Sequence, residues 1–281
     1  MSELVADVRG HGPPVVLLHG QPGGRGDWTL VADQLVGDFT VISPDRPGYG
    51  ETGGRARGFR ANAAAVLALL DRLGAATATV VGYSWAGGIA VAMAEEAPER
   101  LSGMVLVSSI GPGEPLSRLD RVLAVPPIGA SVTAAGLFVA SGVLSLKPVR
   151  RAWLRRHGDG VTGDGTLDPD ALIATWRSRG MWQSFVTEQR SLIDELPFLE
   201  PALATIAVPT VVVVGTADRM VPPATGRRLA ATIPGAALVE LEGAGHLLAH
   251  QRPRDVAAAV RRLAESGPGA AGRPGAPSSG A

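Results

Sequence analysis

The sequence contains no cysteine. Disulfide staples, thiolate metal sites and cysteine nucleophiles are therefore excluded. It also lacks an excess of either charge. The 26 basic and 26 acidic residues balance, which argues against nucleic acid as the main partner. The opening stretch "MSELVADVRGHGPP" has neither a basic patch nor a long apolar run. No secretory signal is read there, and a cytoplasmic location is expected. No convincing cluster of histidines and carboxylates stands out, so no metal or other cofactor is expected.

What is present is apolar. At 46% hydrophobic residues the chain can bury a sizeable core. Residues 122–146, "VLAVPPIGASVTAAGLFVASGVLSL", carry no charge and are long enough to cross a bilayer. Prolines, glycines and serines dilute their hydrophobicity, so an apolar cap is read here rather than an integral membrane span. The segments "PPVVLLHG", "FTVISPD", "TATVVGYS", "GMVLVSS" and "PTVVVVGTAD" are short, β-branched and apolar throughout, like strands buried on both faces of a parallel sheet. Helical patterns separate several of them, at 62–73, 89–97, 225–233 and 254–264. Strand alternating with helix predicts an α/β fold.

The alternation fails between about Glu114 and Glu200, where only helices are expected, with breaks at Pro126-Pro127, at Pro148 and in "HGDGVTGDGTLDPD". The predicted division is therefore a core over 1–113 and 201–265, a helical cap over 114–200, and a disordered Gly/Pro/Ala/Ser-rich tail over 266–281.

The chemistry is sought at strand ends. In "VVGYSWAGG" an apolar strand runs into Ser84 with Gly82 and Ala86 two residues either side. A serine lifted clear of the sheet on a strained strand-to-helix turn needs such small neighbours. Its hydroxyl needs a base, and the base needs an orienting acid. His246 in "GAGHLL" and Asp218 in "GTADRMVPP" both follow strand-like runs, and the order Ser84, Asp218, His246 fits a triad. His250 lies four residues beyond His246 and is read as a surface or packing residue; His19 is read as holding its loop by a side-chain hydrogen bond. The loop "LLHGQPGGRGDW" follows a strand and is suited to donate a backbone amide to an oxyanion, which makes Gln21 and Trp85 the candidates.

The set "HGQPGG", "DRPGYGET", "GYSWAGG", "GTADRMVPP" and "GAGHLL" closely resembles the α/β-hydrolase superfamily, in particular its capped, cofactor-free members, over about residues 4 to 265. The resemblance implies a mostly parallel eight-stranded sheet flanked by helices, with a helical cap inserted after the sixth strand. It implies Ser84 as nucleophile, His246 as base, Asp218 as acid, and the amides of Gln21 and Trp85 as oxyanion hole. The loop "DRPGYGET" would shape the pocket wall. The pattern departs from the family at Ala86, where glycine is usual. Epoxide hydrolases and haloalkane dehalogenases share the loop after the first core strand, but they carry aspartate where this chain has Ser84.

Cleavage of an ester, lactone, thioester or related carbonyl bond is the expected reaction, with perhydrolysis, lyase or cyclase chemistry, or a ligand-receptor role, as the alternative. The cap's apolar run and Trp153, Trp176 and Trp182 suggest a hydrophobic small-molecule substrate, or simply pack the cap onto the core. Lys147, Arg150, Arg151 and Arg155 could share a helix face, as a solvated surface or as a weak contact for an anionic carrier or membrane surface.

Overall fold

The structure, a computed structural model, describes residues 3–111, 118–125, 128–157, 169–177 and 180–266. The proposed break at Pro126-Pro127, nearly all of "HGDGVTGDGTLDPD", the tail beyond Ser266 and the side chains of Trp153 and Arg155 lie outside the described residues.

Among the described residues one sheet holds β1 (Ala6–Gly10), β2 (Pro14–Leu18), β3 (Thr40–Pro44), β4 (Ala78–Tyr83), β5 (Leu101–Val107), β6 (Thr210–Gly215) and β7 (Ala237–Leu241). Their spatial order is β1-β3-β2-β4-β5-β6-β7. All neighbours run parallel except β1, which is antiparallel to β3. The sheet thus has seven described strands, not the eight expected, and the insertion follows the fifth, not the sixth. β1 is an edge strand that pairs with β3 alone, and residues 3–5 ahead of it are not strand.

Helices α1 (Thr29–Leu35), α2 (Phe59–Arg72) and α3 (Gly87–Glu96) precede the insertion. Between β5 and β6 come α4 (Arg118–Leu123), α5 (Ile128–Leu144), α6 (Lys147–His157), α7 (Pro169–Arg177), α8 (Met181–Asp194) and α9 (Leu196–Leu203). Then follow α10 (Pro223–Thr232), α11 (Leu248–Gln251) and α12 (Pro253–Ser266). Pro148 sits in the first turn of α6, where a missing amide hydrogen costs nothing, so the predicted break is a helix start.

The uninterrupted apolar strands are explained by two cores. Successive residues point to opposite faces. Val16, Leu18, Val80, Leu106 and Val212 join Leu69, Ile89, Leu199 and Leu229 from α2, α3, α9 and α10 on one face. Val15, Leu17, Val81, Val105 and Val213 join Leu35, Val260 and Leu263 from α1 and α12 on the other. Both faces are dry, so no polar alternation can appear in β2, β4, β5 or β6. Helix α9 closes the insertion but packs with the core: Leu196, Leu199 and Leu203 belong to the first cluster.

Leu106→Ala, near the end of β5 and wholly buried, should cost about 2–5 kcal/mol. Val8→Ala on the open edge strand should stay within about 0.5 kcal/mol. Urea denaturation of both variants checks the contrast.

Candidate active site

The turn after β4 is built for close approach. Ser84 has φ 53°, a left-handed backbone that a residue with a Cβ adopts only at a cost of about 1–3 kcal/mol. Glycines beside it make room for so close a turn. A Cβ on Gly82 would lie 2.7 Å from the Ala86 carbonyl oxygen, and one on Gly20 would lie 3.1 Å from the Ser84 Cβ. Ala86, the departure from the usual motif, is wholly buried in the first core cluster, so its methyl fills space there. Ser84 opens a single 3₁₀ turn that leads directly into α3.

The structure brings Ser84, His246 and Asp218 together. His246 Nε2 is 3.0 Å from Ser84 Oγ, and His246 Nδ1 is 2.8 Å from Asp218 Oδ2. A carboxylate can only accept, so Nδ1 carries the hydrogen and Nε2 is free to accept from the serine hydroxyl. Asp218 is itself fixed: its other oxygen accepts the backbone N–H of Met220 at 2.8 Å and of Val221 at 3.0 Å. Tyr83 supports the histidine loop, donating from its hydroxyl to the His246 carbonyl at 3.1 Å. Ser84 and Asp218 are only 7% and 6% exposed. The hydroxyl lies under cover rather than out in solvent.

His19 is wholly buried and holds its loop, as expected. Its Nε2 accepts the Arg46 backbone N–H at 3.1 Å, which leaves Nδ1–H to donate to the Gly20 carbonyl at 3.0 Å. Burial first, and Arg46 second, push its pKa well below the ordinary histidine value. Gln21 reaches out of the same loop; its side-chain amide donates to the Phe185 carbonyl on α8 at 2.8 Å. The Trp85 indole stacks on Phe59, with ring centroids 4.3 Å apart, and donates to the Glu188 carbonyl at 3.1 Å. The side chains of both oxyanion candidates are therefore spent on structure, and only their backbone amides remain for chemistry.

Sequence reasoning missed Arg46 and Glu188. Both side chains are 0% exposed, and they form an ion pair. Arg46 also donates to the carbonyls of His19 at 2.9 Å and Gly20 at 2.8 Å, and lies over the rings of Tyr49 and Trp85. The Tyr49 hydroxyl donates to the second Glu188 oxygen at 2.5 Å. Burial opposes the Arg46 charge, but Glu188 and Tyr49 outweigh it and hold the guanidinium protonated. No spacing signal could have found the pair, since 142 residues separate its members.

A cavity of about 860 Å³ opens between the glycine-rich loops after β2 and β3 and the start of α8. Gly24, Tyr49, Arg55, Met181, Ser184 and Thr187 are on its wall, whereas Ser84 and His246 are not. Trp176 and Trp182 are also absent from that wall. Among the described residues, no group of three or more histidines and carboxylates could hold a metal.

A protein-family model described as "Alpha/beta hydrolase family" matches residues 15–259. BpoC of Mycobacterium tuberculosis, which carries a non-heme bromoperoxidase name, is 32% identical over 94% of this chain and 98% of its own. A 2-hydroxymuconate semialdehyde hydrolase of Pseudomonas putida is 29% identical over 85% of this chain and 82% of its own. Among solved structures, a thermophilic esterase from Thermogutta terrifontis superposes with a TM-score of 0.74 at 24% identity, covering 94% of this chain and 93% of that one.

Glu188→Ala would leave the Arg46 charge buried without its partner, and should cost about 3–5 kcal/mol. Thr187→Ala, one residue away and exposed, should cost about 0.5 kcal/mol or less. Urea midpoints of the two variants decide it.

His250 gives a pH prediction. Burial pushes its pKa down from 6.5 to about 4. Between those values the unfolded chain binds a proton that the folded chain refuses, so stability is lost as pH falls from 6.5 towards 4. His250→Gln should flatten that slope, measured as the change in urea midpoint between about pH 7.5 and about pH 5.

Proposed function

The chain belongs to the alpha/beta hydrolase family, and from that membership we propose that it is a serine hydrolase acting through an acyl-enzyme on a carbonyl bond of a hydrophobic small molecule. The observation that carries this reading is the continuous hydrogen-bonded relay from Ser84 Oγ through His246 to Asp218, at 3.0 and 2.8 Å.

The roles follow from the relay. Ser84 Oγ attacks the substrate carbonyl carbon as its proton passes to His246 Nε2. Asp218 holds the imidazole in the accepting tautomer and stabilises the imidazolium. The backbone amides of Gln21 and Trp85 serve the oxyanion that develops on the carbonyl oxygen. As the tetrahedral adduct collapses, the bond to the leaving group breaks and His246 returns the proton to that group. A water then repeats the sequence on the acyl-serine, with His246 as base, and releases the acid. The insertion between β5 and β6 helps to keep water from the buried serine.

Perhydrolysis is a second reading, favoured by the bromoperoxidase name carried by BpoC. Hydrogen peroxide replaces water in the second half-reaction, and the acyl group leaves as a peracid. The two readings share everything up to the acyl-enzyme.

Ser84→Ala should lower turnover of an activated ester by a factor of about 10⁶, His246→Ala by nearly as much, and the double variant by little more. Labelling by a fluorophosphonate, read by intact mass, should vanish in Ser84→Ala. Wild-type-like turnover by that variant would sink the assignment. Peracid formed from the wild-type protein when peroxide is added, compared with free acid, separates the two readings.

A further inference from the structure

Helix α5 is built the wrong way round for a helix in a soluble cap. Its buried face carries Gly129, Thr133, Ser141 and Leu144. The opposite face carries Ile128, Val132, Val139 and Val143, all exposed, and Leu146 continues the stripe just beyond the helix. Their spacings of three, four and seven residues put them along one side. Phe138 beside the stripe is 72% exposed and Val139 is 62% exposed. Val122 and Val125, ahead of α5, are exposed as well. A helix that turns most of its larger apolar side chains outward, and sets mainly small and hydroxyl residues against its neighbours, has an unmet partner. With 17 residues it is about 25 Å long. Among the described residues no helix is long and apolar enough to cross a membrane, so α5 can lie on a bilayer but not span it.

Charge selects the partner. The whole chain is balanced at 26 basic and 26 acidic residues. Residues 118–157, which make up this side of the insertion, hold seven basic residues against one acidic, Asp120. The cations bracket the apolar stripe. Arg121 is exposed on α4 before it, and Lys147 and Arg151, four residues apart on α6, are exposed after it. Arg150 is paired with Asp170 across to α7. A second copy of this chain would bring the same excess positive charge against itself. An anionic surface with an apolar interior complements both features at once.

We propose that α5, flanked by the cations of α4 and α6, docks this protein on the surface of an anionic lipid bilayer. Phe138 and Val139 sink among the acyl chains, while Arg121, Lys147 and Arg151 rest at the headgroup level. The contact is peripheral and reversible, because its apolar part is one helix face and its electrostatic part is a few cations screened by salt. It is independent of the reaction at Ser84.

Co-sedimentation of the full chain with vesicles tests it. One set is phosphatidylcholine alone; in the other, a third of the lipid is phosphatidylglycerol. The expected result is sedimentation with the anionic vesicles, weakened by at least about tenfold between about 0.1 M and about 0.5 M salt. Phe138→Ser/Val139→Ser should weaken it by a similar factor, and Lys147→Glu/Arg151→Glu should abolish the preference for anionic lipid. Fluorophosphonate labelling of Ser84 in both variants reports that the rest of the molecule is intact; should either fail to label, the salt dependence of the unmodified protein still decides. Two outcomes overturn the proposal. One is failure of the unmodified protein to bind anionic vesicles. The other is a dimer in light scattering that Phe138→Ser/Val139→Ser dissolves, which would make the face a contact between copies.

Discussion

A single buried charge organises the approach to the candidate active site. Arg46 lies in a region where an unpaired cation could not persist, and five groups answer it: the Glu188 carboxylate, the carbonyls of His19 and Gly20, and the faces of Tyr49 and Trp85. Those partners come from separate parts of the chain. His19 and Gly20 follow β2, Tyr49 follows β3, Trp85 follows Ser84, and Glu188 is in the middle of α8. Satisfying the one guanidinium therefore fixes the loop that carries Gln21, the turn that carries Ser84 and the seating of the insertion in a single step. A hydrophobic contact could not do this, because apolar packing has no direction. The fork of donors on an arginine does.

The strained serine depends on the same arrangement. A left-handed Ser84 is favourable only where its surroundings reward it: Gly82 and Gly20 leave room for so close a turn, and the buried Trp85 anchors it. The indole of Trp85 is pinned between Phe59, Arg46 and the Glu188 carbonyl. Movement of Trp85 would break contacts in the core and in the insertion together, so the backbone of the turn is held by groups distant in sequence.

How much of this was legible before the structure follows from whether each signal is local. Five strands were readable because burial on both faces leaves unbroken β-branched runs, whereas β7, a half-buried edge strand, showed only as a strand-like run ahead of His246. The seventh, β1, was not, because "ADVRG" lies on an open edge and shows solvent-exposed, mixed polarity. The count of eight and the insertion after the sixth strand came from the resemblance, and the described sheet has one strand fewer ahead of the insertion. Ser84, Asp218 and His246 were found because each sits directly after such a strand, where parallel sheets gather their functional loops. Arg46 was passed over inside "DRPGYGET", and Glu188 inside "SFVTEQR", since each looks like an ordinary polar residue until the fold brings them together. The serine's burial was also unreadable, being a property of what closes over it.

The insertion has two faces with different physics. Towards the core, α8 reaches the loops through Glu188, through the Phe185 carbonyl that accepts from Gln21, and through Ser184, whose hydroxyl donates to the Gly48 carbonyl at 2.9 Å. These contacts are directional and dry, and they register the insertion against the candidate site to within a hydrogen bond. Away from the core, α5 offers branched apolar side chains with nothing over them, bracketed by cations. The two faces are joined through packing of α5 on α7 and α8, and by Arg177 of α7 donating to the Ser141 hydroxyl at 2.9 Å. Helix α8 thus lies between α5 on one side and, through Glu188 and Arg46, the loop that carries Gln21 on the other. The grip on that loop is tight enough that rigid-body displacement of α8 must either carry the loop along or leave a buried charge unpaired. Since the second costs several kcal/mol, the ion pair ties the loop to the insertion.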